Sequence, residues 1–234
     1  GRFNIAIDQA MIEEHQAGRI PDTFRFMRFP PTALIGRHQA LRQEVDVDHC
    51  RAHGIGIVRR ITGGGAIYLD EGQLGWGLVF QRKALGATCL AGLASDICEA
   101  VAAGLRGLGV DARYRPRNDI EVDGRKISGT GGFFDGDTLI YQGTVLVDMN
   151  PAAMVAALRV PRAKLEKRQL DSAAQRVVTL RELLGTATPG LPAIQRALLD
   201  AFSERFGLAW DPESLTAAEE ALARTPLPYR ALVV

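Results

Sequence analysis

The chain lacks an excess of either charge: 28 Lys and Arg stand against 27 Asp and Glu, a net of +1. That removes the electrostatic footprint of a nucleic-acid binder or of a protein held on an anionic membrane. Long apolar runs are missing too. None approaches the ~18 residues of a membrane-spanning helix, and no secretory signal peptide opens the chain, so a cytoplasmic location is expected. Cysteine is scarce: Cys50, Cys89 and Cys98 are an odd number without C-x-x-C spacing. That argues against a disulfide frame or zinc site and for free thiols. The sequence has no internal repeat, no low-complexity segment, no Walker loop and no G-x-G-x-x-G fingerprint.

What is present is 234 residues with 47% hydrophobic content, enough for one large globular domain with a sizeable core, or a domain with a small appendage. The chain opens at Gly1 without Met and enters a helical pattern at once, so upstream residues, an edge strand among them, are expected. Asn4 is placed to cap a helix running to about Gly18 that buries Ile5, Met11 and Ile12 and leaves Asp8, Glu13 and Glu14 wet. Thr23 to Phe29 and Thr32 to Ile35 read as extended runs broken by Pro30-Pro31. His38 follows in a glycine-bearing loop, where a lone histidine is ordinarily a surface residue. Asp46 to His53 reads as a short helix stopped by Gly54.

The apolar run Ile55 to Val58 then empties into Arg59-Arg60-Ile61-Thr62-Gly63-Gly64-Gly65-Ala66-Ile67-Tyr68-Leu69-Asp70. Three consecutive glycines let a backbone approach a ligand and aim several N–H groups at one anion. Two arginines offer planar forks suited to carboxylate or phosphate. A tight connection carrying a solvated arginine pair fits the segment equally well. Leu74 to Phe80 is a further strand, and Leu90, Leu93, Ala94, Ile97, Val101, Leu105 and Leu108 have the spacing of a core helix stopped by Gly109. Cys98 within that helix and Cys89 just before it are expected to be packing thiols.

Asp123-Gly124 between alternating segments signals a two-residue type I′ hairpin. That turn pairs Val122 with Arg125, Glu121 with Lys126, Ile120 with Ile127 and Asp119 with Ser128. Ile120, Val122 and Ile127 then share the core face. Asp119, Glu121, Lys126 and Ser128 share the other, with Asp119 and Lys126 diagonal neighbours able to hold a phosphate between them. A plain solvated Glu121–Lys126 pair is the alternative. A second turn at Asp135-Gly136 returns the chain through Thr138 to Val147, an antiparallel meander that argues against a doubly wound parallel sheet. Met154, Val155 and Leu158 mark a short amphipathic helix, and Arg159, Arg162, Lys164, Lys167 and Arg168 form a basic run. Thr179 caps a helix through Leu184, Pro192 to Phe206 forms another ending at Gly207, and Ala217 to Ala223 a last one.

Taken in order, Asn4-Ile5-Ala6-Ile7-Asp8, Ile35-Gly36-Arg37-His38-Gln39, the Arg59 to Asp70 stretch, Arg117-Asn118-Asp119, Gly124 to Gly129, Gly143-Thr144-Val145-Leu146 and Arg176-Val177 before Thr179-Leu180 resemble the lipoate-protein ligase A family of the biotin and lipoate ligase superfamily. The resemblance implies an α+β fold, a mixed, largely antiparallel sheet flanked by helices of the class II synthetase-like kind. It implies one catalytic domain over 1–234, with the matches in 1–185, a helical part over 186–234 and no full accessory domain, so that a separate accessory subunit is a possible partner. The implied reaction joins lipoate or octanoate to ATP with Mg²⁺, giving an acyl-adenylate, and passes the acyl group to a lysine of an acceptor lipoyl domain. By motif, Arg60, Thr62, Gly63, Gly64, Gly65, Ala66, Ile67 and Tyr68 line the acyl-adenylate. Lys126 is the catalytic contact to acyl carbonyl and phosphate, Asn118 and Asp119 serve the nucleotide, Asp119 the metal, and Ser128, Gly129, Gly143 and Thr144 complete the pocket. Leu69 and Gln142 depart from the family, which commonly has His at both places. The rival expectations are an octanoyltransferase of the same superfamily working through a Cys thioester, for which Cys89 is the least poor candidate, and a non-catalytic acyl-binding homologue.

Overall fold

In the computed structural model of the chain, residues 1–86, 89–159, 173–214 and 217–224 are described. The helices are α1 (Arg2–Gln16), α2 (Leu41–Glu44), α3 (Val47–Ala52), α4 (Leu90–Gly107), α5 (Pro151–Ala157), α6 (Leu180–Leu184), α7 (Leu191–Phe206) and α8 (Ala217–Arg224). The strands are β1 (Thr23–Met27), β2 (Thr32–Ile35), β3 (Gly56–Arg59), β4 (Ile67–Leu69), β5 (Gln73–Gln81), β6 (Arg113–Arg115), β7 (Asp119–Val122), β8 (Arg125–Asp135) and β9 (Thr138–Leu146). Six of them form an antiparallel sheet in the order β1-β5-β9-β8-β7-β6, and the other three a small mixed sheet, β3-β2-β4. The expected α+β architecture is therefore present.

Alternation along β5 decides which face of the large sheet is which. Leu74, Trp76, Leu78 and Phe80 join Leu93, Ile97, Val101 and Leu105 of α4 and Ile194, Leu198 and Phe202 of α7 in the largest core cluster. Each such fully buried side chain contributes about 1.5–3 kcal/mol. Residues beyond 185 thus complete the main core. Val79 and Ile140 look the other way, onto Ala6, Ile7, Met11 and Ile12 of α1. The small sheet splits likewise: Ala33, Ile35 and Ile57 pack with Val47 and Cys50 of α3, whereas Leu34, Val58 and Leu69 meet Ile5, Met27 and Phe29.

Several expectations need correction. Gly1, not Asn4, is the N-cap of α1. Asn4 lies inside the helix, where its side chain donates to the Arg28 carbonyl at 2.6 Å and accepts from Arg25 at 2.7 Å, so tertiary contacts displaced capping. Asp8 and Glu14 are buried, Asp8 against Arg25 at 2.6 Å and Glu14 in a two-bond pair with Arg19. The Asp123-Gly124 turn forms as expected, with φ of 48° and 74°. It pairs Val122 with Arg125 and Glu121 with Lys126, but a bulge then shifts the register, so Ile120 pairs Ser128 and Asp119 pairs Gly129. The shift turns Ser128 into the core, fully buried. In the second hairpin Asp135 pairs Thr138, making Gly136-Asp137 the two-residue turn. Arg162, Lys164, Lys167 and Arg168 of the basic run lie outside the described residues.

Candidate active site

The two arginines at the end of β3 turn their forks on backbone. Arg59 Nη1 donates to the carbonyls of Gly36, Arg37 and Gln39 at 2.9, 3.1 and 2.9 Å. Arg60 donates from Nε to Thr62 Oγ1 at 3.0 Å, from Nη1 to the Leu34 carbonyl at 3.1 Å, and from Nη2 to the carbonyls of Gly63 and Gly65 at 2.7 and 2.8 Å. Among the described residues no carboxylate pairs with Arg60, and burial pushes its guanidinium down to about 10. It still carries its charge at neutral pH. Gly64 has φ of 94°, and its carbonyl lies 2.1 Å from where a Cβ on Gly36 would stand, so both positions exclude a side chain.

The hairpin supplies the second wall. Lys126 Nζ lies 2.8 Å from Asp119 Oδ1, while Arg115 of β6 reaches Asp119 Oδ2 and Glu121 Oε1, both at 2.5 Å. Burial alone would raise the Asp119 carboxyl; Lys126 and Arg115 outweigh it and hold the group below the usual carboxylate range. A Cβ on Gly129 would stand 2.2 Å from Lys126 Nζ, so the bare glycine makes room for the lysine to fold back toward Asp119. The peptide of Lys126 is fixed as well, its carbonyl accepting from the N–H of Val178 at 2.9 Å.

Between these walls is a cleft of about 720 Å³. Arg60, Thr62, Gly63, Gly64, Gly65, Ala66, Ile67, Tyr68, Asn118, Asp119, Lys126, Gly129, Gly143 and Thr144 all border it. Ser128 does not: its hydroxyl is buried without a partner, a result of the bulge. Leu69 and Gln142 border it too, Leu69 within the apolar cluster of Ile5, Met27, Phe29 and Leu34, which forms one part of the lining. Gln142 donates to Asp8 Oδ2 at 2.6 Å, and Arg25 holds Oδ1. The Asp8 carboxyl is pushed up by burial, against the opposing pull of Arg25 and Gln142. Sequence reasoning missed Asp8 as a lining residue because its partners are 17 and 134 positions away. It also missed Arg115; an arginine four residues before Asp119 and two strands away from Lys126 carries no motif signal. His38 is exposed and stands apart from the lining.

Asn118 is fastened to β8: Thr130 donates from both N–H and Oγ1 to its carbonyl, and its side-chain amide donates to the Thr130 carbonyl at 3.0 Å. Behind Thr130, its Oγ1 meets Cys98 Sγ at 3.2 Å and Tyr141 Oη at 3.0 Å. Burial raises the thiols of Cys98 and Cys50, keeping both in the un-ionised, unreactive form. Cys89 is exposed rather than packed, and its sulfur caps α4 by accepting from Gly92 N–H at 3.4 Å. Among the described residues no cysteine borders the cleft.

The sequence profile of the lipoyl protein ligase A/B catalytic domain matches residues 1–203. An octanoyltransferase LipM from Kyrpidia tusciae is 30% identical, over 94% of this chain and 89% of its own length. A bi-partite lipoate protein ligase from Thermoplasma acidophilum, whose structure was described with its E2 lipoyl domain, superposes with a TM-score of 0.81 at 28% identity, covering 95% of this chain and 86% of that one. A lipoate-protein ligase A bound with ATP superposes at 0.83 with 28% identity, over 95% and 87%.

Proposed function

The chain belongs to the lipoyl protein ligase A/B catalytic-domain family, and from that premise we propose that it is the ATP-dependent ligase: it activates lipoate or octanoate as the acyl-adenylate and transfers the acyl group to a lysine of an acceptor lipoyl domain. The observation that carries this reading is that the cleft offers an ammonium, Lys126, and a glycine loop, but, among the described residues, no thiol. A transferase working through a thioester needs a reactive sulfur where the acyl carbonyl sits; an adenylating enzyme needs fixed donors around a phosphate. The ATP-bound relative supports the nucleotide, and the bi-partite relative supports both a lipoyl-domain acceptor and an accessory subunit.

In the first step a carboxylate oxygen of the acid bonds to the α-phosphorus of ATP as the bond to pyrophosphate breaks. Charge builds on the phosphate oxygens, where Lys126 and the loop N–H groups stabilise it. In the second, the acceptor lysine, as the free amine, attacks the acyl carbon; the C–O bond breaks, AMP leaves with the former carboxylate oxygen, and the nitrogen sheds a proton to solvent. The apolar part of the cleft, Ile5, Met27, Phe29, Leu34 and Leu69, is the place for the acyl chain. A magnesium site built by the protein does not fit these residues. Both oxygens of Asp119 are held by cations, and among the described residues no three His, Cys, Asp or Glu converge. Asp119 is read first as the partner of Lys126; a magnesium ion would arrive on the triphosphate, with this one carboxylate as the protein's contribution.

The LipM relative at 30% identity favours octanoyl transfer as the second reading. Incubation with lipoate, ATP, Mg²⁺ and a lipoyl domain separates the two by the acceptor's mass. Acylation that requires ATP and releases pyrophosphate is expected; acylation only from an octanoylated donor protein, indifferent to ATP, overturns the proposal.

A further inference from the structure

Arg59 and Arg60 occupy the place where an anion receptor is anticipated from sequence, yet their forks are turned on carbonyls of two neighbouring loops. We propose that Arg60 is a positioning residue: its guanidinium draws the carbonyls of Gly63 and Gly65 inward and so presents the N–H groups of Gly64 and Ala66 to the cleft as the actual anion-binding donors, while Arg59 does the same structural work for the Gly36–Gln39 loop on which Gly64 rests.

In a trans peptide the N–H points opposite the C=O of the same unit, and neither of these peptides is cis. The Gly63 carbonyl points at Arg60, so the Gly64 N–H points away from it; the Gly65 carbonyl points at Arg60, so the Ala66 N–H also points away. Between them the Gly64 carbonyl is packed against Gly36. Among the described residues no acceptor is bonded to the N–H of Gly64 or Ala66, and both residues border the cleft. Two amide donors one residue apart, left open beside the cleft, can bind a phosphate or a developing oxyanion. Without the guanidinium, three glycines in a row have too much conformational freedom to hold that shape. A lysine keeps the charge but cannot place donors on four acceptors in one plane.

This deepens the reading of the cleft as an anion-activating site, and the test is chosen to be independent of turnover. In ¹⁵N relaxation measurements on the ligand-free protein, the amides of Gly63 to Ala66 are expected to show order parameters near the rigid value of about 0.85. Arg60→Lys should drop them below about 0.6 and abolish the AMP-induced shifts of the Gly64 and Ala66 amides, with the other resonances in place. Arg59→Lys should loosen Arg37 to Gln39 first. Thr62→Val, which removes only the Nε anchor, should produce a smaller loss of order at the same amides and keeps the test open if Arg60→Lys does not fold. Wild-type order parameters throughout the loop in Arg60→Lys, or AMP shifts confined to the Arg60 side chain in the wild type, would overturn the inference. A wild-type protein with an ordered, AMP-responsive loop but no lipoate-dependent pyrophosphate release would instead overturn the ligase reading alone.

Discussion

The ammonium of Lys126 occupies the space that a side chain at Gly129 would fill: a Cβ there would lie 2.2 Å from Nζ and 2.3 Å from Cε. Gly129 also pairs directly with Asp119, so lysine, glycine and carboxylate form one packed unit. Gly129→Ala should therefore displace Lys126 without emptying the site. Misplacement by an ångström costs on the order of 100-fold in rate, so pyrophosphate release should fall by about that factor while the thermal midpoint moves little. Lys126→Ala should abolish the release and leave the fold intact. Near-normal rates in Lys126→Ala would show that Lys126 is not the central cation.

Asp119 ties two cations together, and its acidity gives a pH signature. Because its carboxyl is held below the usual range in the folded protein, its contribution to stability is present above the unfolded value of about 3.9 and is lost as pH falls through the folded value. Asp119→Asn should cost about 1 kcal/mol near pH 7, less than breaking a fully buried ion pair because Lys126 and Arg115 are partly exposed. The gap between wild type and variant in urea unfolding should close below about pH 4. A gap that persists unchanged into acid would show that the carboxylate charge is not what stabilises the hairpin.

Gln142 anchors Asp8, so Gln142→Leu removes a donor from a buried carboxylate that Arg25 also holds. The cost should be about 1–3 kcal/mol. It should shrink as pH falls, because the Asp8 carboxyl, already raised by burial, is then protonated and needs the donor less. The KM for the acyl acid should rise more than kcat falls, since Gln142 borders the cleft apart from Lys126's ion pair. Unchanged acid binding and stability would dismiss Asp8 and Gln142 as part of the site.

Cys89→Ala removes the exposed thiol and a weak sulfur cap of α4. The stability loss should stay under about 1 kcal/mol, with ATP-dependent acylation within a few-fold of wild type. Loss of acylation in this variant, with the fold retained, would favour thioester chemistry.

The signals that were local in the sequence located most of the structure. The positive-φ turn at Asp123-Gly124, the Thr179 cap and the αL stop at Gly207 all formed where turn and cap chemistry places them. What escaped was set at a distance. One extra residue in β8 opposite Ile120 and Glu121 turned Ser128 away from the cleft, and nothing in an alternating pattern announces a bulge. Asp8 read as solvent-exposed on α1 because its cation is on β1 and its amide donor on β9. The arginines after β3 were legible as a pair of forks, but the acceptors they would choose were not, because backbone carbonyls leave no trace in composition.

The clip between Val178 and Lys126 bears on how the chain can be divided. Val178 N–H reaches the Lys126 carbonyl, and Arg125 reaches both the Val177 carbonyl and Glu182, so a peptide from the last quarter of the chain braces the first residues of β8. A fragment ending at β9 would retain every cleft residue through Thr144 and still leave that strand start unbraced. Two pieces cut after α5 and before Val177 should recover activity only when mixed, the second supplying both the clip at Val177-Val178 and the core side chains of α7.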